Sequence, residues 1–449
     1  MLKVTELKAV FKKEGFQKYF KNTSWMLLEK VFRIFVSLIV GAWVTRYLGP
    51  SDYGAFQFAF SVVTIFSAIA TLGLDEIVVR ELVKNEQRKN KLLGTSFILK
   101  IIGSLISILL LLIVTMTFDN EPIVSKMILI IGSSTLFHCF NVIDLHFRSR
   151  VISKYVTYAN FFSLLASSIL KIILILTNAS LVSFAIVALF EGAILALGYI
   201  YYYSKSETNG SIFNWTFDTK LAKELLSNSW PLIFASMILM IQSRIDQVML
   251  KELSGNEEVG YYSSALKFIE MLAFLPVILQ NSLLPSLINS KKVSEKHYQE
   301  RLLNYYRLNV ILFIVTAVPL FLFSGFIITT LYGDAYLAAI PLLSFMSLRV
   351  ILTNMAIARA GFVNIENLFK FSMFTIIIGT VVNILLNYFL IPEHLSMGAI
   401  FATLVSLSVT IFMVDFFYAK TRRNAFMQIK SMLTFYAIKI NFLKEKNNE

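Results

Sequence analysis

Eight ionisable side chains sit where charge is costly to keep. Glu29, Lys30 and Arg33 fall inside an apolar run of about 24–45. Arg244 and Asp246 fall inside one of about 228–250, Lys267 and Glu270 inside one of about 261–285, and Arg349 inside one of about 338–360. A charged group at the centre of a bilayer costs about 2.5–3.5 kcal/mol on insertion scales, so it is kept only facing a partner or a watery cavity. Glu29 and Arg33 are four residues apart, Lys30 and Arg33 three, and Lys267 and Glu270 three. On a helix each of these pairs shares a face. Cations outnumber carboxylates in this set. The chemistry it offers is the holding of a large anion, with Lys30, Arg33, Arg244, Lys267 and Arg349 as substrate-holding cations. Glu29, Asp246 and Glu270 then serve as ion-pair or coupling carboxylates.

Other polar groups in the runs read differently. Lys100, Asp144, Arg307, Arg359 and Asp415 lie near run ends, where snorkelling to the headgroups or structural pairing accounts for them. Lys171 and Glu191 also fall inside apolar runs. Asn383 and Asn387, four apart, are expected to bond to a neighbouring helix. Ser37 and Gly41 form a small-xxx-small pair that predicts close helix packing. No catalytic constellation accompanies these groups. The four histidines, His138, His146, His297 and His394, have no metal-ligand spacing, and no phosphate-cradling glycine loop is present. No metal, no cofactor and no enzymatic activity are expected.

The elements that must position the charges are transmembrane helices. Hydrophobic residues make up 57% of the 449 residues and charged residues only 15%, too few to clothe a soluble protein of this size. Apolar runs of about 20 residues, the length that crosses a bilayer, recur twelve times. They lie at about 24–45, 54–74, 93–117, 125–146, 156–176, 181–203, 228–250, 261–285, 304–326, 338–360, 370–391 and 396–418. The net charge of +13 would suggest nucleic acid in a soluble chain, but here the basic residues sit in short loops. About 30 of the 41 Lys and Arg fall on the side of both termini, against Arg46, Lys126 and Lys251 on the other. The positive-inside rule then places both termini in the cytoplasm. Every outward loop is short, which leaves no external domain for catalysis. The single cysteine, Cys139, excludes an intrachain disulfide. No signal-peptide cleavage site is evident.

An internal repeat organises the chain. Asn22-Thr23-Ser24-Trp25 opens one apolar run as Asn228-Ser229-Trp230 opens another, and Gly54 and Ala59 return as Gly260 and Ala265, 206 residues on. The expected fold is an all-α membrane protein of twelve transmembrane helices in two six-helix lobes, a parallel repeat around a central cavity. Residues 1–22 are a basic amphipathic segment, 23–203 the N-lobe, 204–223 a cytoplasmic linker, 224–418 the C-lobe and 419–449 a basic amphipathic tail.

Trp25, Arg46-Tyr47-Leu48-Gly49-Pro50, Tyr53-Gly54, Phe58-Ala59, Leu72-Gly73-Leu74 and Arg80-Glu81 resemble the bacterial polysaccharide (O-antigen) flippase family. Asp246, Gly260-Tyr261-Tyr262 and Ala265 in the second half do so too. That family belongs to the superfamily of multidrug-and-toxin extruders and the lipid II flippase. The resemblance implies transport of an undecaprenyl-diphosphate-linked oligosaccharide from the inner to the outer face of the bacterial cytoplasmic membrane. The implied partners are that glycolipid, the lipid bilayer, and a glycan polymerase and glycosyltransferases; no nucleic acid is expected. A diphosphate head suits a cationic site, and rocking of the lobes would move it by alternating access. The rival reading is a multidrug or other small-molecule exporter of the same superfamily, which would favour an excess of carboxylates.

Overall fold

The computed structural model describes residues 14–117, 121–206 and 211–438, with side chains in the first helix at Trp25 and from Leu28 onward. The amphipathic reading of residues 1–22 therefore lies outside the described side chains, as does the end of the C-terminal tail from 439. Among the described residues the chain is helical without strands. The helices are α1 (Glu14–Thr71), α2 (Asp75–Lys84), α3 (Lys89–Thr117), α4 (Pro122–Ser133), α5 (Val142–Ser149), α6 (Lys154–Leu176) and α7 (Leu181–Ser206). There follow α8 (Thr219–Ser254), α9 (Asn256–Leu272), α10 (Phe274–Val293), α11 (Glu295–Leu322), α12 (Ser324–Leu331), α13 (Ala339–Ser347) and α14 (Arg349–Ile365). The last are α15 (Phe369–Ser408), α16 (Val414–Phe417) and α17 (Ala419–Leu433), with a π-turn at Val409–Met413 between α15 and α16. Ten helical stretches of the described residues are long and apolar enough to cross a membrane. In hydrocarbon each backbone N–H and C=O must be satisfied within the segment, so long helices are what such a sequence forms. The protein is a multi-pass membrane protein.

Two of those stretches are interrupted. The first breaks at Gly49, with φ 72° and ψ 171°. Gly255, 206 residues on, separates α8 from α9 in nearly the same conformation, with φ 90° and ψ 179°. That backbone region is open almost only to glycine. α15 breaks at Leu395, with φ 53° and ψ −137°.

The chain divides into two compact units. One holds the residues up to Leu48 with Ala59–Met240, the other Gly49–Phe58 with the residues from Ile241 on. In the second unit the two repeat-related glycines pack reciprocally. A Cβ on Gly54 would run into the Asn256 carbonyl, and one on Gly260 into the Pro50 carbonyl. This is backbone-to-backbone packing, the use of small residues that membrane helices favour. The pair predicted for this role at Ser37 and Gly41 does not serve it, because a Cβ on Gly41 would meet nothing within 4 Å. Spacing of small residues marks a face that permits close approach; it does not supply the neighbour. Gly54→Val is therefore expected to abolish recovery of folded protein from detergent extracts. Gly41→Ala should leave the yield unchanged or slightly higher, since alanine is the better helix former.

The first unit is tied together at its basic loops. Trp215 Nε1 donates to the Tyr203 hydroxyl at 3.2 Å, the Thr216 N–H to the Asn90 carbonyl at 3.3 Å, and the Asp218 N–H to Thr95 Oγ1 at 3.1 Å. The segment between α7 and α8 thus lies strapped onto the start of α3. Asp218 caps α8, accepting from the backbone N–H groups of Lys220 and Leu221 at 2.9 and 3.0 Å. The Leu221 amide, more than any other group, holds its carboxyl below the usual range.

Candidate functional site

In the first unit, Arg33 grips Glu29 one helical turn away: Nε and Nη2 lie 2.7 and 2.6 Å from the same carboxylate oxygen. The guanidinium is 40% exposed and the carboxylate only 10%. Lys30 is exposed beside them. In the second unit, Arg244 on α8 reaches Glu270 on α9, Nη1 to Oε1 at 2.9 Å, and leans towards the Gln247 side-chain oxygen at 3.5 Å. Here the sense is reversed. The Arg244 side chain is 17% exposed and Glu270 40%, so the cation lies behind its carboxylate. Arg244 Nε is buried without a hydrogen-bond partner. Lys267 is part-buried on α9, and Arg349 is part-buried at the start of α14.

Asp246 stands apart from the others. It is two residues from Arg244, which on a helix turns it to the opposite side. It is 4% exposed. Its carboxylate accepts from the Tyr262 hydroxyl at 2.6 Å, from Asn387 Nδ2 at 2.8 Å and from the Thr403 hydroxyl at 2.6 Å. Asn387 Nδ2 also reaches Asn383 Oδ1 at 3.3 Å. Asn387 and Thr403 flank the break at Leu395, so one carboxylate pins α8 to α9 and to both limbs of α15. Asn387 thus bonds a neighbouring helix, as its position in an apolar run required. Tyr262 and Thr403 were not legible as its companions: a tyrosine or threonine in an apolar run carries no distinctive signal.

Of the charges near run ends, Lys100, Arg359 and Asp415 form ion pairs and Arg307 bonds neutral groups. Lys100 Nζ meets Asp75 Oδ1 at 2.6 Å. Arg359 holds Asp415 in a bidentate fork, Nε to Oδ2 at 2.9 Å and Nη2 to Oδ1 at 2.6 Å, with both side chains at or below 5% exposure. Arg307 ties α11 to the chain after α17, donating to the Thr434 hydroxyl and the Ala437 carbonyl, both at 2.9 Å. The Arg359–Asp415 pair is costly to break from one side because that leaves an uncompensated buried charge. Among the described residues no cluster of His, Cys, Asp or Glu could hold a metal ion.

The first unit thus holds one guanidinium in a partly exposed ion pair, Arg33–Glu29, and the second unit another, Arg244–Glu270. The family model described as "Polysaccharide biosynthesis protein" matches residues 19–291, more than half of the chain. The chain belongs to that family. A relative described as "Putative O-antigen transporter" from Shigella flexneri is 21% identical over 423 residues, covering 89% of this chain and 97% of its own. Among solved structures, the lipid II flippase MurJ in an inward closed conformation superposes with a TM-score of 0.69 at 16% identity. The match covers 96% of this chain and 94% of that one. An inward-facing multidrug resistance MATE family transporter of the MOP superfamily gives 0.66 at 14% identity, covering 89% and 96%. At these identities the likeness establishes the fold. This member of the polysaccharide biosynthesis family has the fold of the MOP-superfamily transporters.

Proposed function

We propose that the protein is a non-enzymatic flippase. It would move an undecaprenyl-diphosphate-linked oligosaccharide, such as an O-antigen or other surface polysaccharide repeat unit, from the cytoplasmic to the outer face of the bacterial cytoplasmic membrane. The observation that carries the reading is the pair of span-borne guanidiniums, Arg33 and Arg244, each held ready by a carboxylate in a member of a polysaccharide biosynthesis family. A diphosphate is a doubly branched anion, and the planar guanidinium fork matches phosphate oxygens two at a time. Lys30 and Lys267 add unforked positive charge along the route, and Arg349 a third guanidinium. The name of the Shigella relative points to the same substrate class. The fold shared with the MATE transporter does not by itself favour drug export, and five cations against three carboxylates in this set suit an anion better.

Twelve crossings remain our count. The stretches Leu28–Lys84 and Phe369–Phe417 have 57 and 49 residues, each enough for two passages of about 20 residues, and each contains a break. Counting both twice brings ten to twelve. With an even count and the basic loops inside, both termini are cytoplasmic.

Transport by alternating access needs binding on one face and release on the other. Glu270 supplies a means of release. It is the more exposed partner, so an incoming phosphate reaches Arg244 by displacing it, and its return competes the phosphate away. With the cell interior negative, outward passage of the anion is also favoured by about 2.3 kcal/mol per charge per 100 mV. The test is flipping of a fluorescent undecaprenyl-diphosphate oligosaccharide in proteoliposomes, scored by accessibility to an added glycosidase. The wild-type chain should flip it and empty liposomes should not; no flipping above empty liposomes sinks the reading. Glu270→Gln should bind the glycolipid more tightly, by several-fold, while its turnover falls. Coupling to an ion through Glu29, Asp246 or Glu270 is checked by collapsing proton and sodium gradients separately. Flipping indifferent to both rules antiport out.

A further inference from the structure

We propose that the outer face of α17 is a docking surface for anionic lipid of the inner leaflet. The helix is amphipathic with its polar side turned inward. At about 3.6 residues per turn, Thr421, Asn424, Gln428 and Ser431 fall on one side. All four are at or below 1% exposed. Phe426, Ile429 and Leu433 fall on the opposite side, at 59%, 38% and 71% exposed. Hydrogen bonds hold the polar side in place. The Tyr306 hydroxyl on α11 donates to Asn424 Oδ1 at 2.6 Å, and Thr421 Oγ1 donates to the Asp415 carbonyl at 2.9 Å. Arg307 clamps the Thr434 hydroxyl just beyond the helix at 2.9 Å. α17 cannot roll to bury its apolar side without breaking these bonds.

Position and charge choose the occupant. A membrane-length stretch ends at Phe417, and α17 begins at Ala419. Tyr418 between them is extended, with φ −106° and ψ 123°, and turns the chain. The apolar face therefore continues directly from a crossing, at headgroup level. By the topology proposed above, that level is the inner leaflet. An apolar stripe facing water marks an uncovered interface, whereas at this depth acyl carbons cover it. Residues 416–438 hold four cations, Lys420, Arg422, Arg423 and Lys430, and no carboxylate. Arg422 donates to the Phe416 carbonyl at 2.9 Å and Arg423 to the Gln299 side-chain oxygen. Both acceptors are neutral, so both guanidiniums keep their charge. Lys420 and Lys430 are exposed. Four cations without a carboxylate repel the same face of a second copy and attract an anionic bilayer. An apolar stripe with basic residues around it is the form in which helices lie on such a surface.

The test places an environment-sensitive fluorophore on single cysteines of the full-length protein in liposomes, with Cys139 replaced by serine. Labels go on Phe426→Cys and Leu433→Cys, with Lys296→Cys, exposed at the start of α11, as the aqueous reference. At 426 and 433, nitroxide-labelled lipid should quench and iodide in the buffer should quench less than at 296. Nitroxide phosphatidylglycerol should quench at least about two-fold more than nitroxide phosphatidylcholine at equal mole fraction. The double variant Lys420→Gln with Lys430→Gln should at least halve that excess and leave quenching by phosphatidylcholine in place. Quenching at 426 and 433 by iodide alone puts the face in water and overturns the proposal. Quenching by neither agent means that a second copy or another protein covers it, and overturns the proposal too. Equal quenching by the two lipids, or an undiminished excess in the double lysine variant, overturns the assignment to anionic lipid. Because the readout is proximity to lipid, its outcome is independent of whether the chain flips a glycolipid.

Discussion

Replacing Arg244 by alanine is expected to lower glycan export by about 30-fold with protein level unchanged. Charge-assisted hydrogen bonds of the kind a guanidinium makes to phosphate contribute about 1.5–3 kcal/mol. Losing about 2 kcal/mol weakens binding of the head group roughly 30-fold. The fold should survive, because the partner left behind, Glu270, is 40% exposed and can be solvated. Arg244→Lys should recover part of the loss, since it keeps the charge without the fork. Arg33→Ala should also lower export, but less, because its guanidinium is more exposed and its interactions are screened. Surface glycan measured in cells lacking the chromosomal copy, with the variant quantified by immunoblot, gives the answer. Normal export by both alanine variants would remove the cationic substrate site from the mechanism.

Asp246→Ala should be strongly destabilising. It strands three buried donors at once: the Tyr262 hydroxyl, Asn387 Nδ2 and the Thr403 hydroxyl. Each unsatisfied buried donor costs about 1–3 kcal/mol, and because the three share one acceptor the sum is not simply additive. A total above about 3 kcal/mol is expected, read as a large drop in the thermal midpoint of purified protein in detergent. Asp246→Asn keeps the shape and one acceptor oxygen, so it should fall between wild type and Asp246→Ala. Thr403→Val removes one donor and should cost about 1 kcal/mol. An Asp246→Ala protein as stable as wild type would mean that the network does not hold α8, α9 and α15 together.

The two predictions rest on parts of the chain that were unequally legible. Arg244 announced itself, as any guanidinium does in the middle of an apolar run. That Glu270 is its partner was less plain: the spacing tied Glu270 to Lys267 on its own helix, and the ion pair runs to α8 instead. From the sequence Asp246 reads, with Glu29 and Glu270, as an ion-pair or coupling carboxylate. The structure instead buries it among hydroxyls and an amide drawn from 16 to 157 residues away. Arg359 and Asp415 were each read as tolerable near a run end, but their bidentate pairing across 56 residues was not visible.

Hydropathy and helix propensity act over a single turn or a single crossing, so they can be summed along the chain without knowing its path. That is why membrane class and crossing length follow from residue order alone. The 206-residue echo of Gly54 in Gly260 is legible for the same reason. Which guanidinium meets which carboxylate, which glycine is crossed by a neighbour, and whether a charge lies towards solvent or inside depend on how helices are juxtaposed. Helix association in a membrane is driven by packing and hydrogen bonds, which depend on facing partners and leave no periodic mark in either partner's sequence.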